Sequence, residues 1–261
     1  SGLRRSVEVK KEIFMPKLPS LVEMLAAGMH FGHQTSRWHP KMKPFIFGAK
    51  MGVHIMDLEK TQEMLQDALT TISGIVARGG IILLVGTKPQ AKGPIRKYAE
   101  ACDMPYVVNR WLGGTITNFG QIKQTLKRLK TLKDQREKGE LKKYTKMEQL
   151  MLNREIEDME VKFGGIQHLT RTPDALFVID IRTEKTAVQE AFTNSIPVIA
   201  LCDSNVNPEG IAKVIPGNDD AVKSIEMLCK LVCDAIKEGR TQAAKTSVVT
   251  RTADENKIIE V

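Results

Sequence analysis

His33, Asp203 and Asp219 are the side chains in this sequence best suited to hold a divalent cation. Asp180 and Asp203 each end an apolar run, at residues 175–179 and 197–202, and Asp219 follows the short run 214–215. In a doubly wound sheet the carboxyl ends of the strands gather around one crevice. If the loop after Gly28 folds over that crevice, one imidazole and two carboxylates meet there. Such a mixed nitrogen and oxygen set suits zinc; magnesium, or a metal-free hydrogen-bonded cluster that fixes the loop, are the alternatives. No cofactor is required on this reading, and the divalent ion, zinc or magnesium, is the one candidate.

Other chemistries find no support. His30-Phe31-Gly32-His33 lacks the glutamate of a helical HExxH zinc site, and the Gly86-Thr87-Lys88-Pro89 turn matches neither a Walker A loop nor a GxGxxG fingerprint. There is no GxSxG nucleophile elbow. Gly113-Gly114 leads into a helical stretch, where turning the backbone is the expected role. The adjacent acids Asp219-Asp220 also suit a helix start, where they favour the dipole. Cys102, Cys202, Cys229 and Cys233 form no CxxC pair, and the spacing of the last two is that of a helix facing a core. Buried thiols in a reducing compartment are expected, and no catalytic residue is identified.

The elements that must position these groups follow from periodicity. Continuous apolar runs at residues 81–85, 175–179 and 197–202, with shorter ones at 106–109 and 214–215, predict strands covered on both faces. Short strands are also predicted at 45–47 and 53–56. Helical stripes predict helices over 18–27, capped by Ser20, and over 61–78, 94–102, 184–193 and 221–238. Alternation of strands and helices makes this an α/β chain with a doubly wound parallel sheet. From 117 to 163 there is no strand candidate. Phe119, Ile122, Leu126 and Leu129, then Leu152, Ile156, Met159 and Phe163, recur at helical spacing on either side of a turn near Gly139. This predicts an inserted helical hairpin. The organisation is therefore an extension at 1–15, an α/β domain formed by 16–116 and 164–239, an insertion at 117–163 and a flexible tail at 240–261.

Charge points to an anionic partner. The 261 residues carry 39 Lys and Arg against 31 Asp and Glu, a net charge of +8. Nucleic acid is the first expectation and a membrane surface the second. Aromatic residues make up only 5% of the chain, so phosphate and shape recognition is expected over base stacking. No run approaches the roughly 20 apolar residues of a membrane helix, and no signal-peptide pattern opens the sequence, so a cytoplasmic protein is expected. The densest cluster is Gly28 through Gly48, a Pro- and Gly-rich stretch mixing aromatic, basic and hydrogen-bonding side chains. Trp38 there suits either stacking on a base or packing in the core. The first arm of the insertion is one-sidedly basic, with Lys123, Lys127, Arg128, Lys130, Lys133, Arg136 and Lys138 against Asp134 and Glu137. The candidate RNA contacts are Arg37, Trp38, Lys41, Lys43, Lys50, Arg96, Arg110, Lys123, Lys127, Arg128 and Lys130.

The 28–48 stretch closely resembles the corresponding stretch of the bacterial ribosomal protein S-two family, and four further segments match it in order. They are Arg110-Trp111-Leu112-Gly113-Gly114-Thr115-Ile116-Thr117-Asn118-Phe119, Pro173 to Asp180, Ile196 to Asn205, and Ile215-Pro216-Gly217-Asn218-Asp219-Asp220-Ala221. Together they span roughly residues 16–240. The resemblance implies a flavodoxin-like α/β sandwich with an inserted coiled-coil hairpin. It implies a structural, non-enzymatic place in the small ribosomal subunit, in contact with small-subunit ribosomal RNA and neighbouring ribosomal proteins. It also implies a part in docking the large messenger-binding ribosomal protein built of OB-fold repeats. Two positions depart from the family pattern: His39 stands where asparagine is usual, and Arg182 adds positive charge near the crevice.

Overall fold

A computed structural model describes the backbone of residues 17–258 and the side chains of 17–245. The extension expected at 1–15 lies outside the described residues. The large sheet contains β4 (Ile82–Val85), β5 (Tyr106–Val107), β6 (Ala175–Ile179), β7 (Val198–Cys202) and β8 (Lys213–Pro216), all parallel, in the order β5-β4-β6-β7-β8. This order is that of a flavodoxin-like sheet, with its switch point between β4 and β6. Every residue of β4, β6 and β7 is buried. Their uninterrupted apolar runs reflect helices on both faces.

Alternation along each strand separates two cores. Ile82, Leu84, Phe177, Ile179, Ile199 and Leu201 point to one, where α2 (Leu58–Ala77), α3 (Pro89–Ala101) and the closing helix α7 (Val222–Ile258) pack. Leu83, Val85, Leu176, Val178, Ala200 and Cys202 point to the other, with α6 (Lys185–Thr193) and the insertion. Asp57 starts α2 by accepting from the backbone N–H groups of Glu59 and Lys60. The helix α3 begins at Pro89, earlier than residue 94. Proline is well placed at a first helical position, and Pro94 is carried inside the helix.

A second, antiparallel sheet of three strands, β1 (Phe31–Gln34), β3 (Val53–Met56) and β2 (Ile46–Lys50), forms from the residues after the short capped helix α1 (Leu21–Ala26). The strand β1 is not predicted by its composition: Phe31-Gly32-His33-Gln34 has no β-branched residue, and its pairing with β3 is irregular. Residues 117–163, predicted as an inserted hairpin, hold α4 (Phe119–Glu137) and α5 (Lys146–Phe163). Ile122, Leu126, Leu129 and Leu132 of α4, and Ile156, Met159 and Phe163 of α5, are buried in the second core. The ion pairs Arg128–Glu155 at 2.6 Å and Lys133–Glu160 at 2.8 Å advance in the same sense along both helices, and Met147, Leu150 and Met151 of α5 are exposed. These contacts do not describe a continuous antiparallel coiled-coil seam.

The closing helix runs to Ile258, well past residue 238, where its apolar stripe ends. Gly239 does not stop it. A Cβ at that position would lie 2.6 Å from the Ser73 carbonyl oxygen and 2.9 Å from the Val76 Cβ, so the missing side chain is what lets α7 approach α2. Alanine would raise helix propensity by about 1 kcal/mol, yet overpacking against backbone costs about 1–3 kcal/mol. Gly239→Ala is therefore expected to lower the urea midpoint of unfolding; an unchanged or raised midpoint would refute the close-packing role.

Candidate functional site

The carboxyl ends of the parallel strands meet under the loop that leads from α1 into the small sheet. Asn218, after β8, donates from its side chain to the Gly28 carbonyl at 3.0 Å and from its backbone to the Met29 carbonyl at 3.1 Å. Ser204, after β7, accepts from the His33 backbone N–H at 2.9 Å, and its carbonyl accepts from the His39 N–H at 2.8 Å. Gly32 has to be glycine for this contact, because a Cβ there would lie 2.9 Å from Ser204 Oγ and 3.2 Å from the His54 carbonyl. The loop is thus stitched over the sheet, and His33 is held beside the strand ends.

Five carboxylates line this crevice. Asp203, Asp219 and Glu184 are almost fully buried, Asp180 is buried at the end of β6, and Asp220 is half exposed. Asp180 has a left-handed backbone, φ 63°, and accepts from the Arg182 and Thr183 N–H groups and the Thr183 hydroxyl. This strained geometry is typical of a site whose surroundings hold it in place. Glu184 accepts from the Thr87 N–H at 2.7 Å, and burial raises its pKa. Arg182 contributes its backbone to Asp180, while its side chain is exposed.

The group that counters this charge carries no signal in the sequence. Lys88, in the turn after β4, places its ammonium 2.8 Å from Asp219, 2.5 Å from Asp220 and 3.7 Å from Asp180. Burial works against its charge, but the hydrogen bonds and fields of Asp219, Asp220 and Asp180 hold its pKa above the ordinary value. Asp219 is pushed up to about 7, first by burial and then by the nearby Asp180 charge, against the pull of Lys88. Asp219 and Asp220 therefore face Lys88 and the crevice, beside the helix start that their position also suits.

His33, Asp203 and Asp219 do converge: one ligating atom from each lies within 4.8 Å of the others. Nδ1 of His33 stands 3.0 Å from Oδ2 of Asp203, and Nε2 stands 3.5 Å from Oδ2 of Asp220. The Asp203 carboxylate raises the His33 pKa, against the cost of burial. Oδ2 of Asp219 has no hydrogen-bond partner, and Oδ2 of Asp203 has none beyond the His33 ring. The chemistry on offer is cation binding. A phosphate brought into this ring of carboxylates would be repelled, which sets the crevice apart from the nucleotide sites of similar sheets. A concavity of about 620 Å3 lies at the opposite, amino ends of the strands, lined by Gly79, Gly80, Tyr106, Gly165 and Arg240. It does not bring together a comparable group of buried acids.

The candidate RNA contacts lie elsewhere, on the surface. Arg37, Lys41, Lys43 and Lys50 are exposed on the small sheet and its turns, Arg96 on α3, Arg110 after β5, and Lys123, Lys127, Arg128 and Lys130 on α4. Lys41 is paired with Glu209, and Arg128 with Glu155. Trp38 is half-buried, its ring centroid 5.4 Å from that of His54.

Glu190, a buried acid outside the crevice, is as silent in the sequence as Lys88. Glu190 of α6 accepts from Trp111 Nε1 at 3.0 Å, the Gly114 N–H at 2.8 Å, the Ile116 N–H at 3.0 Å, and both the N–H and hydroxyl of Thr117 at 3.1 Å. One carboxylate thus winds up the 110–118 loop and fixes where α4 leaves the sheet. Gly114 turns the backbone there with φ 88°, in the role predicted for it. Burial alone would raise the Glu190 pKa, but these donors outweigh it and hold the group below its ordinary value.

Residues 24–239 match a family model described as Ribosomal protein S2, a span that covers most of the chain. Among the described residues, no helix is long and apolar enough to cross a membrane.

Glu190→Gln leaves several of these donors facing an amide and is expected to cost about 1–3 kcal/mol in denaturant unfolding. Because the folded pKa lies below 4.5, the wild-type stabilisation is complete above that pH and is lost as pH falls through the folded value. The stability gap between the two proteins should therefore narrow as pH falls below about 4.5. A gap independent of pH would show that the Glu190 charge is not what the loop needs.

Proposed function

The chain belongs to the ribosomal protein S2 family, structural proteins of the small ribosomal subunit rather than enzymes, and from that premise we propose that it binds small-subunit ribosomal RNA through two exposed basic groups. One group is Arg37, Lys43 and Lys50 on the small sheet; the other is Arg110, Lys123, Lys127 and Lys130 along the start of the insertion. The observation that carries the proposal is the way charge is sorted. The acids of the crevice are turned inward, whereas these seven cations are exposed and make no ion pair among the described residues. Unneutralised cations on a rigid frame suit phosphate contacts, which position a protein on RNA without reading sequence. Arg128 and Lys41 each share their charge with an acid and are expected to contribute less. Arg96 and Trp38 are expected at the margins of this surface.

The same reading places the protein in the cytoplasmic small subunit beside other ribosomal proteins, with a part in docking the messenger-binding protein of OB-fold repeats. The insertion, read as a helical hairpin, extends the basic surface outward from the α/β domain.

On a sucrose gradient, the tagged protein is expected to co-migrate with small subunits and to stay with them when low magnesium separates the subunits. A protein that remained at the top would refute the ribosomal role. Replacing Lys123, Lys127, Arg128 and Lys130 together by glutamine should reduce the salt-dependence slope of RNA binding by about 2–3, at roughly 0.7–0.9 for each phosphate no longer neutralised. An unchanged slope would remove the insertion from the RNA surface. The docking role predicts recovery of the OB-repeat protein from nuclease-treated extract, and its disappearance on RNA removal would assign that association to RNA.

A further inference from the structure

We propose that Phe47, at a bulge in β2, stacks on an unpaired base of small-subunit RNA, with Lys43 and Lys50 on the flanking phosphates. The inference rests on the RNA-binding reading above and names a contact of a different kind, an anchor on a base.

The β2–β3 hairpin turns apolar side chains toward solvent. β2 pairs with β3 at Ile46↔Met56 and next at Gly48↔Ile55, so Phe47 is the extra residue of a bulge. Bulges re-aim side chains. The Phe47 ring is 79% exposed, between the partly buried Ile46 and Gly48, and it joins neither core. The connecting turn is Met51-Gly52, with φ 51° and 77°, the two positive values of a type I′ hairpin. Asparagine or glycine suits the first of these positions; here it is a methionine, 94% exposed. Among the described residues nothing covers the hairpin: a Cβ at Gly48 or at Gly52 would meet no atom within 4 Å. The tip is nonetheless held in place, because the Gly52 carbonyl accepts from the Thr35 N–H at 2.9 Å.

Charge selects the occupant. Residues 24–56 contain no Asp or Glu, although the chain carries 31 among its 261 residues. The same stretch holds Arg37, Lys41, Lys43 and Lys50; among the described residues, Lys41 alone of these makes an ion pair, with Glu209. An acid-free surface with spare cations fits a polyanion. Lys50 lies three positions from Phe47, roughly 10 Å along a strand that rises about 3.3 Å per residue, close enough to hold a phosphate beside a base on the ring. RNA offers such bases in its loops and bulges, where aromatic side chains take up what is unstacked. Met51, at the tip, adds a polarizable apolar contact for the adjoining nucleotide. One anchor is compatible with an aromatic content of 5%, which argues only against a platform of several rings.

Full-length protein is titrated against full-length small-subunit ribosomal RNA at several salt concentrations. Phe47→Ala is expected to weaken binding roughly 5- to 150-fold, the range for one lost base stack, at an unchanged salt slope. Phe47→Trp should keep the affinity and Phe47→Leu should not, which separates stacking from apolar packing. Lys43→Gln combined with Lys50→Gln should instead lower the slope by about 1.4–1.8. Because the ring is exposed, the urea midpoint should not move; should Phe47→Ala lose stability, Phe47→Leu decides in its place. Phe47→p-benzoylphenylalanine should photo-crosslink to RNA in purified small subunits. Full affinity in Phe47→Ala, equal affinity of Phe47→Leu and Phe47→Trp, or a crosslink to protein alone would overturn the inference while leaving phosphate binding by α4 intact. Absence of RNA binding by the unaltered protein would remove the general reading and this one with it.

Discussion

A carboxylate can be buried only where donors or a positive charge meet it, and this requirement organises the carboxyl end of the sheet. Glu190 gathers four donor residues from the segment between β5 and α4, so α4 leaves the sheet from a fixed loop. Lys88 does the converse, drawing Asp180, Asp219 and Asp220 from two strand ends toward one ammonium. Neither arrangement adds much apolar burial. Each ties loops that would otherwise be free to a sheet already fixed by its two cores.

The flavodoxin-like strand order explains why these groups meet at all. With β4 and β6 adjacent at the switch point, the turn carrying Lys88 and the turn carrying Asp180 face each other. In related sheets this crevice serves anions, through backbone N–H groups and helix starts. Here side-chain acids reverse its polarity, so the fold's usual ligand position is unsuited to phosphate. The contacts with RNA phosphates proposed above would then fall to the outside of the molecule, where the cations of the small sheet and of α4 are exposed.

Much of this is legible in the sequence because strand ends are legible. Continuous apolar runs locate β4, β6 and β7, and the strand-end rule then brings His33, Asp203 and Asp219 to one crevice. Lys88 and Glu190 are illegible for opposite reasons. Lys88 sits in a turn whose pattern is informative only about phosphate loops, and a lysine paired with acids 92 and more positions away leaves no local mark. Glu190 looks like a solvated helix residue; its partners lie more than 70 positions earlier, and only the packing of α6 against the 110–118 loop turns it inward. The strand β1 is hidden by its composition, and Gly239 by a residue type that ends helices more often than it packs them.

The insertion shows where periodicity stops being informative. Both of its apolar stripes are real, and their inner residues are buried, but the same 3.6-residue repeat fits a two-helix seam and packing onto a third surface equally well. In this structure the later residues of α5 join the sheet's second core, while Met147, Leu150 and Met151 at its start are uncovered. The charges divide similarly. Arg128, Lys133 and Arg136 are drawn onto Glu155 and Glu160 of α5, leaving Lys123, Lys127, Lys130 and Lys138 without an ion pair among the described residues. Counting basic residues along the arm therefore overstates what it can offer to phosphate. The effective cations are those whose helical phase points them away from α5, and that phase is set by how α4 leaves the loop wound around Glu190.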